Sequence, residues 1–173
     1  MQEEISNHVL EAIAESPGTR AEGIYLVAMK VKGPSRVPKI EILLDTDTGI
    51  RIDQCAWLSR RVRERIEGDL ELMAAIGEDF ELMVASPGLG EPLRLLRQYQ
   101  RHIGKLLTIT WTDDEDEPVV MKGRLLQVSL SDESGPSIVI LPEKKGKKGQ
   151  PAKNEGVRVL LDRVVRAVPE AEL

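Results

Sequence analysis

Apolar residues along this chain follow one rhythm up to about residue 101 and another after residue 105, and no single packed layer satisfies both. Before the change, stripes at helical spacing alternate with short apolar runs. Ile5, Val9 and Ile13 recur at i, i+4 and i+8 with Ala12 beside them, an amphipathic helix ended by Ser16-Pro17-Gly18. Residues 22–32 and 37–45 read as two strands of a hairpin around Gly33-Pro34-Ser35. In the first of them Ile24, Leu26 and Ala28 point one way and Tyr25, Val27, Met29 and Val31 the other, which predicts a central strand covered on both faces. Cys55, Leu58, Val62 and Ile66 make the buried stripe of a second helix that Asp53 is placed to cap. A short helix over 69–76 and a strand over 79–85 follow.

After Lys105 every apolar run is short: 105–111, 119–130, 136–142, 157–160 and 164–168, each separated by polar turns. That pattern predicts a small all-β barrel. Between the two regimes lies Ser86-Pro87-Gly88-Leu89-Gly90-Glu91-Pro92-Leu93, then a short helix over 94–101. Pro87 fixes φ, Gly88 and Gly90 permit unusual backbone angles, and Pro92 stops further pairing, so this segment reads as a stiff turn between domains and, compatibly, as a rigid loop presenting backbone N–H groups to a phosphate or a ribosomal partner. The expected organisation is therefore α+β: an N-terminal α-β-β-α-β domain over residues 1–93 and a C-terminal barrel over 94–173.

Charge limits what such a chain can bind. The formal net charge is -5, and the acid excess lies in the first 97 residues while the remainder is balanced. That sign argues against a polyanion binder coated in basic residues, so any nucleic-acid contact is expected from local clusters. A single cysteine, Cys55, rules out an internal disulfide and suits a reducing compartment. The N-terminal MQEEISNHVLEAIAES is polar and acidic, unlike a signal peptide, and no apolar run reaches membrane-spanning length, which makes the cytoplasm the expected location.

Two local clusters carry cations. Arg61 and Arg65 stack at i, i+4 on the second helix, with Trp57 near Arg60 and Arg61 and away from the Cys55 stripe. An indole beside guanidiniums on an outer face suits RNA bases or a protein partner, and the alternative is a solvated face with the indole tucked under a loop. Lys144, Lys145, Lys147 and Lys148 sit in a Gly- and Pro-containing segment that can track phosphates or simply solubilise a loop. The five acids Asp113 to Glu117 read as a solvated hairpin tip. No catalytic set is visible. Asp47-Thr48-Gly49 occurs once, whereas aspartic-protease chemistry needs two such aspartates sharing a proton. A metal-dependent hydrolase would need Asp45, Asp47 and Asp53 to converge, and the loop fails the calcium-loop pattern at Gly49, Ile50 and Ala56. No P-loop or dinucleotide fingerprint appears, and no cofactor is implied.

The stretch LLDTDTGIRIDQCAWLSRRV and, further on, FELMVASPGLGEPL resemble the ribosome maturation factor RimP family. The matching residues are Asp45, Gly49, Ile50, Asp53, Cys55 and Ser59, then Val84, Ser86, Pro87, Gly88, Leu89, Pro92 and Leu93. Tyr99 to Gly104 resembles the family's entry into its second domain, and the likeness covers nearly the whole chain in order and length. Where the family often has Asp-Arg, this chain has Gly90-Glu91, so an RNA contact by that arginine would fall to Arg94 or Arg97. The resemblance implies a KH-like layout for the first domain and an Sm-like or SH3-like barrel for the second. It also implies a monomeric, non-enzymatic assembly factor that binds the immature or free 30S subunit, meeting 16S rRNA and small-subunit ribosomal proteins. A general RNA-binding module is the competing expectation.

Overall fold

The computed structural model describes residues 1–33, 37–77, 79–88, 90–130, 133–143 and 155–171. The chain divides into two compact units, Met1–Pro87 and Gly88–Leu173.

The first unit is built from α1 (Gln2–Ala14), β1 (Tyr25–Lys32), β2 (Lys39–Asp45), α2 (Ile52–Glu67), α3 (Leu70–Ile76) and β3 (Glu81–Ala85). The three strands form one sheet in the order β1-β2-β3, antiparallel between β1 and β2 and parallel between β2 and β3. Parallel pairing needs a crossover, and α2 with α3 supplies it. Period-two alternation sends Ile40, Ile42 and Leu44 of β2 to one face, where they meet Ile5 and Val9 of α1, Leu58, Val62 and Ile66 of α2, Leu72 and Ile76 of α3, and Phe80.

β1 is an edge strand, not the central, doubly covered strand its apolar run predicts. The reason is a bulge. Leu26 pairs with Leu44 and Ala28 with Leu43, so Val27 is the extra residue and the facing alternation resets behind it. Leu26, Met29 and Val31 therefore share the helix-facing side, as their packing on the first core records. The stripe of α2 also differs by one position from expectation. Gln54, not Cys55, is buried in line with Leu58, Val62 and Ile66. A buried amide is tolerated there because it is satisfied: Arg51 N–H donates to Gln54 Oε1 at 2.9 Å and Gln54 Nε2 donates to the Glu22 carbonyl at 3.3 Å. Cys55 is half-buried beside it, and burial followed by the charge of Asp53 raises its thiol pKa. Asp53 lies inside the first turn of α2, where it accepts from Arg51 Nε at 3.2 Å.

The second unit contains α4 (Leu96–Arg101), β4 (Leu106–Thr112), β5 (Pro118–Ser129), β6 (Ser137–Pro142), β7 (Val157–Leu160), a 3-10 turn (Leu161–Arg163) and β8 (Val164–Pro169). All ladders are antiparallel in the order β7-β6-β5-β4-β8. The expected barrel is not closed: among the described residues no ladder joins the edge strands β7 and β8, so the element is a five-stranded sheet with two edges. Its core comprises Leu93, Tyr99, Leu107, Ile109, Trp111, Leu125, Ile138, Ile140, Val159 and Ala167.

One contact in the first unit is acid-sensitive. His8 Nε2 lies 2.7 Å from Asp69 Oδ2, and Asp69 Oδ1 accepts the Leu72 N–H at 3.0 Å, capping α3. The hydrogen bond from His8, then that from Leu72, holds the Asp69 carboxyl below its ordinary 3.8. A carboxyl depressed in the folded state stabilises the fold above its unfolded pKa, and that share is lost as pH falls through the folded value. The stability difference between wild type and Asp69→Asn is thus expected to be present at pH 7 and to vanish on descent below pH 3.8. Urea unfolding at a series of pH values checks it; a difference that persists unchanged at pH 2.5 contradicts it.

Candidate functional site

The second-helix arginines are held by acids. Glu11 in the last turn of α1 and Glu15 at its C-terminal cap lie four residues apart, and Arg61 and Arg65 lie one turn apart on α2. The two pairs interlock: Arg65 Nη1 donates to Glu15 Oε1 at 2.6 Å, Arg65 Nη2 to Glu11, Arg61 Nε to Glu15, and Arg61 Nη1 to Glu64 at 3.1 Å. The hydrogen bond from Arg61 to Glu15, then that to Glu64, raises the Arg61 guanidinium pKa above its ordinary value. Arg63 is also engaged, stacked 4.5 Å from the Phe80 ring centroid and 3.3 Å from Glu67. Arg60 alone among these four is exposed with no ion pair among the described residues. Trp57 is half-buried, with part of its side chain packed on the first core.

This geometry changes what charge reversal does. From sequence, reversing Arg61 and Arg65 to Glu is expected to weaken partner binding without disturbing the fold. In the structure, the double reversal sets new carboxylates against Glu11, Glu15 and Glu64. A clamp of several linked, partly shielded pairs contributes more than isolated surface pairs do. The expected outcome is a fall of several degrees in the thermal midpoint, recovered in large part by adding Glu11→Arg and Glu15→Arg. Calorimetry reads both; an unchanged midpoint in the double reversal contradicts the clamp.

The remaining predicted residues fall as follows. Lys144, Lys145, Lys147 and Lys148, and Leu89 of the turn, lie outside the described residues. Ser86 and Gly88 are exposed, Pro87 and Pro92 are half-buried, and Leu93 is buried. Gly90 sits at φ +90, where a side chain would be strained, and Glu91 N–H closes a turn on the Gly88 carbonyl at 3.1 Å. Asp113 organises the acidic tip, accepting the N–H groups of Glu115 at 2.9 Å and Glu117 at 3.0 Å through Oδ1. Asp45 is buried and accepts the Thr46 N–H at 2.8 Å, whereas Asp47 and Asp53 are exposed. Among the described residues no three His, Cys, Asp or Glu side chains are placed to hold a metal ion.

The structure adds a site that sequence reasoning missed. Within the second unit, Pro92, Leu93, Leu96, Tyr99, Leu161, Val164 and Val165 line a groove of about 410 Å³ with Arg94 and Arg166. Its wall is fixed by one buried side chain. Gln98 is 1% exposed, and its Oε1 accepts the N–H groups of Arg94 at 2.8 Å and Leu95 at 2.9 Å. Two donors at the start of α4 are satisfied by a residue from its first turn, which locks the backbone carrying Arg94. On the same wall Leu93 N–H donates to the Ala167 carbonyl of β8 at 2.7 Å. Burial lifts the Tyr99 hydroxyl pKa to about 12, so the phenol stays neutral at physiological pH.

The sequence as a whole places this chain among known proteins. It is 59% identical over 173 residues, the full length of both chains, to a protein of Pelodictyon phaeoclathratiforme named ribosome maturation factor RimP. The chain belongs to the RimP family. A Chlorobium limicola protein with the same RimP name is 49% identical over all of this chain and 98% of its own length. A RimP from Christiangramia forsetii is 27% identical over 70% of this chain and 73% of its own. The family model for the RimP N-terminal domain matches residues 14–90, which contain all of α2 and most of the Ser86–Leu93 turn. No helix among the described residues is long and apolar enough to cross a membrane.

Proposed function

We propose that this chain is a ribosome maturation factor that binds the free or immature 30S subunit and promotes its maturation without catalysing a reaction. The observation that carries the reading is end-to-end identity of 59% with a protein of that name. The partners are 16S rRNA and small-subunit ribosomal proteins, and the protein acts in the cytoplasm as a monomer with no cofactor. Such a factor works by differential affinity. It shifts a partly assembled subunit toward one arrangement only as far as it binds that arrangement more tightly than its competitors.

The contact surfaces we assign are the α2 face around Trp57 and Arg60 and the lysines at 144, 145, 147 and 148. Arg61 and Arg65 contribute by fixing α2 against α1, and a phosphate reaching them competes with Glu11 and Glu15. The turn Ser86, Pro87, Gly88, Leu89 and Pro92 joins the two domains. The element order of the first unit supports a KH-like layout. The strand order of the second, with a 3-10 turn before its last strand, supports an Sm-like or SH3-like one. The net charge of -5 weighs against a general RNA-binding module, which would need basic residues in excess.

Depletion of the protein in its own host tests the proposal. The expected result is accumulation of free small subunits carrying incompletely matured 16S rRNA, reversed by supplying the chain. Normal subunit profiles after full depletion contradict it.

A further inference from the structure

The groove of the second unit has the makings of a peptide site. Most of its lining side chains are aliphatic, Leu93, Leu96, Leu161 and Val164 among them, and Leu93, Leu161 and Val164 also belong to the second core or pack against it. Val165 is the extra residue of a bulge, between Val164 paired with Trp111 and Arg166 paired with Thr110. It is 68% exposed, a large aliphatic side chain in water at the groove's edge. β8 is an edge strand, and among the described residues its outer side takes one backbone bond, from Leu93. Edge strands with unpaired backbone groups accept extended chains.

Charge selects the kind of chain. Arg94 and Arg166 both line the groove, both are exposed, and neither makes an ion pair among the described residues. Two cations lining the groove beside aliphatic side chains complement a carboxylate flanked by apolar side chains. Nucleic acid fits the same groove less well. Single-stranded RNA is held by stacking on exposed rings, and the rings of this unit, Tyr99 and Trp111, are buried in its core. A phosphate would meet the arginines and leave the aliphatic lining side chains uncovered. We propose that this groove binds an extended polypeptide segment carrying at least one carboxylate between aliphatic residues. The activity is separate from subunit binding and needs no ribosomal particle.

The test is a titration of the isotope-labelled full chain, followed by NMR, with the blocked synthetic peptide Val-Glu-Leu-Asp-Val. Two comparison ligands are the same peptide with Lys in place of both acids and an oligouridylate. The acidic peptide is expected to give saturable shifts confined to residues 92–96 and 161–166. Its affinity falls on the order of tenfold in Arg94→Glu/Arg166→Glu, since both charges facing the ligand are reversed. Val165→Asp, made separately at an exposed position, is expected to weaken the peptide as well. The proposal is overturned if the acidic peptide produces no saturable shifts, if the lysine peptide binds equally, or if oligouridylate displaces the peptide from these resonances. The wild-type selectivity between the peptides decides the matter even if a variant fails to fold.

Discussion

Gly123→Val is expected to unfold the second unit while the first stays folded. Gly123 sits inside β5 with a strand on either side, opposite Leu107 of β4 and Pro142 of β6. A Cβ at this position would lie 2.6 Å from Ile140 Cγ2 and 2.6 Å from the Leu141 carbonyl oxygen. The first contact can be eased by a rotamer change, but the second is with backbone in the neighbouring strand. Relief requires β5 and β6 to part, which breaks the ladder that organises the core. Overpacking of a core costs about 1–3 kcal/mol when side chains can yield, and here the obstacle is main chain, so the cost should be at least at the top of that range. The unit has under ninety residues, and domains of that size hold a net stability of a few kcal/mol. Each unit has one tryptophan in or against its core, Trp57 in the first and Trp111 in the second. Fluorescence of a Trp57→Phe background therefore reports the second unit, and that of a Trp111→Phe background the first. The expected result is loss of the Trp111 transition with the Trp57 transition retained. A wild-type Trp111 transition contradicts the packing described.

Ile42→Ala is expected to cost about 2–5 kcal/mol, the range for removing a large aliphatic side chain from a well-packed core. Ile42 is fully buried at the middle of β2, the central strand, paired with Met29 on one side and Val84 on the other. It meets the helices from the centre of the sheet, where neighbours on both strands limit collapse into the cavity. Urea unfolding followed through Trp57 should show the midpoint fall with little change in slope. A shift smaller than about 1 kcal/mol would mean that the site collapses freely, as a surface position would.

Much of this organisation is legible in the sequence because it rests on period. The shift from helical stripes to short strands after Lys105 matches the element order, in which helices and strands alternate before α4 and strands dominate after it. Period fails where one residue breaks it. The bulge at Val27 puts apolar residues on both apparent faces of β1, which imitates a buried central strand. Gln54 escapes notice because a polar residue in an apolar stripe is informative only once its hydrogen-bond partners are known. Barrel closure is a matter of which edge strands meet, and run lengths carry no record of that.

The arginines of α2 show a different limit. Helical spacing puts Arg61 and Arg65 on one face, but only tertiary structure reveals what that face meets. A matching signal was present in Glu11 and Glu15, which repeat at the same i, i+4 spacing at the C-terminal end of a neighbouring helix. Two complementary pairs at equal spacing on adjacent helices are grounds for expecting a clamp before a binding surface. The groove had a weaker trace. Arg94 draws attention through the missing family arginine, while nothing around Arg166 marks it before β8 is folded.

We propose that this chain acts by binding the small subunit. The decisive experiment sediments the purified protein with purified small subunits, large subunits and assembled ribosomes at low salt. The chain is expected to travel with small subunits, most strongly with immature ones, and to remain at the top of the gradient with large subunits or assembled ribosomes. A chain that stays unbound in the presence of small subunits, or that pellets equally with all three particles, contradicts it.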